Sequence, residues 1–279
     1  MNIAIFGINH IISVSLAQIH YMNNDKIYGV YRSHLSKNEY CDIYLNNSNF
    51  FANEERINFD VIYFIAGFVP RGAYNVADGR LNEINVNLPK RIIDQFPNAR
   101  FVYLSSVAVY DGQQDKIDEN TVCKPANLYA KSKLDGEMNT KSAKSYGIMR
   151  MTSLYGEGIG DNNFINRAIS QAINKNIIIL FGNGERKQNY IHFQDAAHYL
   201  FAIGTSLNNG IFLALGEGNY SNKEIALKIK SFVPTLNIKY VGSDDTPSIL
   251  YFNNITTEKL EYTPQVSVNE GIKRILNNV

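Results

Sequence analysis

The sequence contains no tryptophan and only two cysteines, Cys41 and Cys123. Two cysteines cannot build a disulfide framework or a cysteine-rich zinc site. Charge of one sign is also missing: 27 Lys and Arg stand against 26 Asp and Glu, for a net charge of +1. There is therefore no basic field for nucleic acid and no acidic polyelectrolyte character. No apolar run approaches the roughly 18 residues of a membrane span. The N-terminus, Met1-Asn2-Ile3-Ala4-Ile5-Phe6-Gly7, has no basic segment leading a long apolar one, so no secretion signal is read. A soluble, cytoplasmic protein without membrane or nucleic-acid partners is expected. No Pro- or Ser-rich linker and no internal repeat divides the chain. His10, His20 and His34 lack metal-ligand spacing with carboxylates, His198 falls on a helix face, and His192 reads as structural at a strand-to-helix joint. No metal site is expected. Cys123 reads as a passive loop thiol.

What is present is an ordinary globular composition, 45% hydrophobic and 19% charged, which rules out a disordered chain. Short apolar runs rich in β-branched residues recur at Ile3–Phe6, Ile27–Tyr31, Ile43–Leu45, Val61–Ala66, Phe101–Ser105, Ile148–Met151 and Ile211–Leu215. None shows polar alternation, which predicts strands buried on both faces. Between them, Ile11–Met22, Asn82–Gln95, Leu128–Ser145 and Phe193–Thr205 carry helical periodicity. Alternating strands and helices predict an α/β fold, a Rossmann-like doubly wound parallel sheet. Helical pieces at Asn163–Asn174, Ser221–Phe232 and Ser267–Asn278 predict a smaller C-terminal substrate-binding lobe. The expected division is 1–155 for a dinucleotide-binding domain and 156–279 for the lobe, with some elements of the second part returning to the first.

The first strand-to-helix junction is Phe6-Gly7-Ile8-Asn9-His10-Ile11-Ile12-Ser13. A dinucleotide site needs backbone amides and a helix N-terminus facing the pyrophosphate here. Gly7 fits the first glycine position, His10 occupies the second and small Ser13 the third. The second strand ends in Arg32-Ser33, where an acidic residue would hold the ribose hydroxyls of NAD. Arg32, with Ser33 as a further donor, suits the 2′-phosphate of NADP instead; a solvated surface arginine is the plain alternative. Tyr129 and Lys133, four apart, share one helix face, although such a pair arises readily by chance among 18 tyrosines.

Taken in order, these segments resemble the extended short-chain dehydrogenase/reductase family, the NAD(P)-dependent epimerase/dehydratase branch, over nearly the whole chain. "FDVIYFIAG" (59–67) resembles its fourth strand, and "NVN" (85–87) the helix with its structural Asn. "YLSSVAVY" (103–110) and "YAKSK" (129–133) resemble its catalytic strand end and helix. "RMTSLYGEG" (150–158), "NYIHFQD" (189–195) and "LGEGNYSNKEIA" (215–226) resemble its later signatures.

The resemblance implies an NAD(P)-dependent oxidoreductase acting on a nucleotide-activated sugar, with Ser106, Tyr129 and Lys133 catalytic. Tyr129 would be the general acid/base, its pKa lowered by the Lys133 ammonium. Ser106 would bond the reacting sugar oxygen, and strand alternation sends Ser105 to the other face. Gly7, Asn9, His10, Ile11, Arg32, Ser33, Ala66, Gly67, Asn87, Tyr129, Lys133 and Met151 are expected on the cofactor, NADP with NAD as the alternative. Asn87 is expected to fix the active-site backbone. Ser106, Val107, Tyr129, Ser153, Arg186 and Gln188 are expected on the substrate. The family's usual diphosphate-binding Arg aligns with Gln188, so Arg186 or Lys187 would substitute for it. A second expected Arg is missing from Val241-Gly242-Ser243-Asp244-Asp245. Val107-Ala108 stand where dehydratases of the family carry an acidic pair, which disfavours a 4,6-dehydratase. The leading expectation is an NADPH-dependent reductase of a 4-keto sugar for surface polysaccharide. The alternatives are a 4-epimerase with retained NAD and a cofactor-binding relative without turnover. A homodimer through the helices bearing Asn87 and the Tyr–Lys pair is also implied.

Overall fold

The computed structural model describes residues 1–52, 57–70, 79–110 and 116–278. In chain order the elements are β1 (Asn2–Phe6), α1 (Ile11–Met22), β2 (Lys26–Tyr31), β3 (Ile43–Asn46), α2 (Asn47–Phe51), β4 (Val61–Phe64), α3 (Arg80–Asn82), α4 (Leu88–Gln95), β5 (Arg100–Ser106), β6 (Lys116–Ile117), α5 (Leu128–Thr140) and β7 (Tyr146–Met151). There follow β8 (Ser153–Tyr155), α6 (Phe164–Lys175), β9 (Ile177–Phe181), β10 (Lys187–His192), α7 (Phe193–Thr205), β11 (Gly210–Ala214), β12 (Asn219–Ser221), α8 (Asn222–Phe232), β13 (Asn237–Val241), β14 (Leu250–Tyr251), α9 (Asn254–Leu260) and α10 (Val268–Asn277).

The seven apolar runs read from the sequence are the seven strands of the central sheet, in the order β11-β7-β5-β4-β1-β2-β3. Every pairing in it is parallel. Residues of alternate parity enter opposite cores. Ile3, Ile5, Val61, Tyr63, Val102 and Leu104 pack under α1 and α7. Ala4, Phe6, Ile62, Phe64, Phe101 and Tyr103 pack with Ile92 and Ile93 of α4 on the other side. Burial on both faces explains why these strands lack polar alternation. A third core joins α6, α8, α10, β9 and β10 into the C-terminal lobe. Residues of α7 and β11 belong to the central layers, β11 pairing with β7 from Gly210↔Gly147 to Ala214↔Met151.

The strand order reverses at β1, between β2 and β4, which opens a crevice at the carboxyl ends of β1 and β4. No helix is long and apolar enough to cross a membrane among the described residues. One predicted helix is shorter than expected. The Leu128–Ser145 pattern ends at Thr140, because Ser142 and Ala143 donate to Asn139 and Thr140 carbonyls in a turn that feeds β7.

Candidate active site

The turn after β1 brings two backbones together. Gly7 has φ +86°, and a Cβ there would lie 2.8 Å from the Ala66 nitrogen. The Ser13 hydroxyl donates to the Gly7 carbonyl at 2.8 Å, which ties α1 to the turn. Position 7 therefore needs glycine for both its dihedral and its space. Gly7→Ala is expected to cost about 1–3 kcal/mol from the strained backbone alone and to weaken dinucleotide binding. An unchanged denaturation midpoint would contradict this. His10 caps α1: its Nδ1 accepts from the Ile12 nitrogen at 3.3 Å. Asn9 instead reaches the loop after β2, donating to the His34 carbonyl at 2.6 Å and accepting from the Ser36 nitrogen at 2.9 Å. Gly7, Arg32 and Ala66 line one cavity of about 510 Å³ beside α2 and α4. The lining joins the Gly7 turn to arginine side chains, a chemistry that could hold an anionic part of a dinucleotide. Ser33, expected as a phosphate donor, is exposed and lies outside the lining.

The helix α5 is capped by Asn127, whose side chain accepts from the Ala130 nitrogen at 2.9 Å. Tyr129, Lys133 and Glu137 follow at successive helical turns on one face. Lys133 is 4% exposed. Its Nζ donates to the Leu104 carbonyl at 2.8 Å and stands 4.8 Å over the Tyr103 ring. A Cβ at Gly67 would approach that Nζ to 3.3 Å, so the end of β4 runs directly past the amine. Burial lowers the Lys133 pKa to about 8, against a smaller upward pull from Glu137.

The asparagine that fixes this region is Asn85, which corrects the expectation for Asn87. Asn87 is exposed and donates to Glu83 at 3.1 Å. Asn85 is wholly buried. Its Oδ1 accepts from the Phe68 nitrogen at 2.8 Å, and its Nδ2 donates to the Phe68 carbonyl and the Ser132 hydroxyl, both at 3.0 Å. Ser132 passes the link on to the Tyr129 carbonyl at 2.8 Å. The local reason is Pro89. It has no N–H to return to the residue four before it, and the backbone widens into a π-turn over Glu83–Asn87. The freed Asn85 carbonyl accepts from the Tyr103 hydroxyl at 2.9 Å.

Alternation along β5 separates the two serines. Ser105 is buried towards α5 and donates to Glu137 at 2.6 Å. Glu137 also meets Arg150 through two bonds, at 3.0 Å and 2.6 Å, while Arg150 donates to the Tyr110 hydroxyl at 2.6 Å. Pairing with Glu137 holds the Arg150 pKa above its ordinary value despite burial. Ser106 opens into a different cleft, of about 280 Å³, and there Val107, Ser153, Arg186 and Gln188 join it. Met151, expected on the cofactor, also lines this cleft, directly across the β5–β7 register from Ser106. Gln188 bonds Asn222 at 3.4 Å. The Arg186 Nε is buried and has no hydrogen-bond partner among the described residues. A buried donor of this kind suits an anionic acceptor.

Residue Asn189 is a further constraint that the sequence did not single out. It is buried and accepts from Thr152 and the Gly216 nitrogen at 2.9 Å and 2.8 Å, locking the cleft floor. His192 is a buried cap of α7, 3.1 Å from Glu157 through Nε2. Burial lowers its pKa, which favours the neutral, structural form.

A model of the NAD dependent epimerase/dehydratase family matches residues 13–212. The uncharacterized UDP-glucose epimerase YtcB of Bacillus subtilis is 29% identical over 108 residues, which cover 37% of this chain and 34% of that protein. A putative UDP-glucose 4-epimerase of Methanocaldococcus jannaschii is 23% identical over 242 residues, covering 80% of this chain and 79% of its own. The crystal structure of UDP-glucuronic acid 4-epimerase from Bacillus cereus in complex with NAD shares the fold. It superposes with a TM-score of 0.83 over 100% of this chain and 98% of that one, at 16% identity.

Proposed function

The chain belongs to the NAD dependent epimerase/dehydratase family, and on that premise we propose that it is an NADP(H)-dependent reductase of a nucleotide-activated 4-keto sugar. The observation that carries this reading is the arginine-lined cavity beside Gly7 and Ala66, which has Arg32 at the end of β2. A 2′-phosphate is a dianion near neutral pH and calls for cationic partners. The cofactor, when bound, supplies the hydride.

The chain's own residues do the rest. Tyr129 gives its phenolic proton to the sugar oxygen. The Lys133 ammonium, fixed by the Leu104 carbonyl, stabilises the phenolate left behind. Ser106 donates to the same sugar oxygen as charge develops on it. Asn85, through Phe68 and Ser132, holds the strand end and helix in register. Arg186 offers its unpartnered Nε to the substrate's diphosphate, a role the alignment of Gln188 leaves open. The absence of acidic residues at Val107-Ala108 argues against water elimination at this site.

A second reading, 4-epimerisation with retained NAD, draws on the names of two sequence relatives, an uncharacterized UDP-glucose epimerase and a putative UDP-glucose 4-epimerase. Calorimetry separates the two. The reductase reading expects exchangeable NADP binding tighter than NAD, and Arg32→Asp reversing that preference. A purified protein that already carries NAD, or a preference indifferent to Arg32→Asp, would reject it.

A further inference from the structure

The adenosine cavity contains more cationic groups than Arg32 alone. Arg80 and Arg91 also line it, against the carboxylate of Glu83 among the described residues. That carboxylate is engaged by the Asn87 amide at 3.1 Å. Arg91 comes from the middle of α4, and its guanidinium carbon sits 3.8 Å from the centroid of the Phe51 ring at the end of α2. Among the described residues the Arg91 side chain makes this stacking contact and no hydrogen bond or ion pair, and the Arg32 side chain makes neither. Both side chains are solvent-exposed. Both line the same cavity, so its described lining carries an excess of positive charge.

We infer that Arg91, held flat by Phe51, is a second anchor for the adenosine 2′-phosphate and sets the preference for NADP together with Arg32. The inference rests on the NADP(H) reading above and adds a residue from a different element of the fold. Arg32, the residue after β2, and Arg91, on α4, both line the cavity. A tetrahedral phosphate dianion can accept from both at once. A guanidinium already stacked on a ring loses less rotamer freedom on binding than a free one, because its planar fork is pre-oriented. Leu88 and Ile84 supply the apolar surface against which an adenine could pack.

The test uses the intact chain and ligands that lack the nicotinamide, so it does not depend on turnover. Titration calorimetry with 2′,5′-ADP and with 5′-AMP measures the 2′-phosphate contribution directly. Wild type should bind 2′,5′-ADP more tightly. Arg91→Met should weaken 2′,5′-ADP about tenfold, the loss typical of one hydrogen-bonded charge, while leaving 5′-AMP nearly unchanged. Arg91→Lys, which keeps charge but not the planar stack, should recover only part of the loss. Phe51→Leu should weaken 2′,5′-ADP by about threefold, in line with a partly exposed cation–π contact. If Arg32→Met weakens 2′,5′-ADP but Arg91→Met does not, the inference is overturned and the NADP reading stands. If wild type binds the two ligands equally, both fail. If Arg91→Met weakens both ligands alike, Arg91 serves the adenine or the fold and the inference is overturned. Matching thermal unfolding curves for the variants exclude a folding defect.

Discussion

Replacing Tyr129 by Phe is expected to reduce turnover by about a hundred- to ten-thousand-fold, the range for loss of a positioned general acid. The ring and its packing survive the change. The Asn127 cap and the Ser132 bond to the Tyr129 carbonyl do not involve the phenol and persist. Fold and dinucleotide affinity should therefore match wild type, and a variant that keeps its rate would remove Tyr129 from the mechanism. The pH profile should carry the mark of Lys133. Its pKa of about 8 means that the ammonium supporting the phenolate is complete below that value. Activity that depends on it should decline as pH rises through about 8. The stability contribution has the opposite sense. An unfolded chain keeps that proton up to about 10.4, so between the two values the unfolded state binds more protons. The cost of burying the charge is then progressively relieved as pH rises.

The second large effect lies behind the reacting groups. Arg150→Met leaves Glu137 buried without its partner, with Ser105 as its remaining close donor. Removing one member of a buried ion pair costs about 3–5 kcal/mol. At about 2–4 °C per kcal/mol for a chain of this size, the unfolding midpoint should fall by on the order of 10 °C. Glu137→Gln combined with Arg150→Met should recover part of that loss, because no unpaired charge remains. The cycle should show strong coupling between the two sites. Additive effects would mean that the pair is not the structural support described above. The network matters for position, since Tyr103, Leu104 and Ser105 of β5 each bond the scaffold around α5. Those bonds aim Ser106 the other way.

Much of this arrangement is legible in the chain itself. Strands buried on both faces announce themselves as unbroken apolar runs, and all seven of them do so. The strained turn at Gly7 follows from its place between β1 and α1. Parity along β5 separates Ser105 from Ser106. What the pattern could not resolve has specific causes. Asn85 and Asn87 flank Val86 in a segment whose helical phase is reset by a π-turn, and the trigger, Pro89, lies outside the "NVN" string. A regular helical count cannot say which asparagine points inward. Arg91 and Phe51 meet only because α2 and α4 pack on the same side of the sheet. Nothing local in either segment encodes that encounter.

The most direct test of the central claim is to mix the purified protein with NADPH and a nucleoside-diphosphate 4-keto-6-deoxyhexose and follow the loss of reduced cofactor. The account predicts stoichiometric oxidation of NADPH with formation of the 4-hydroxy sugar, abolished by Tyr129→Phe. Protein that consumes no NADPH, yet interconverts the 4-hydroxyl configuration of a nucleotide sugar using NAD it already carries, would contradict it.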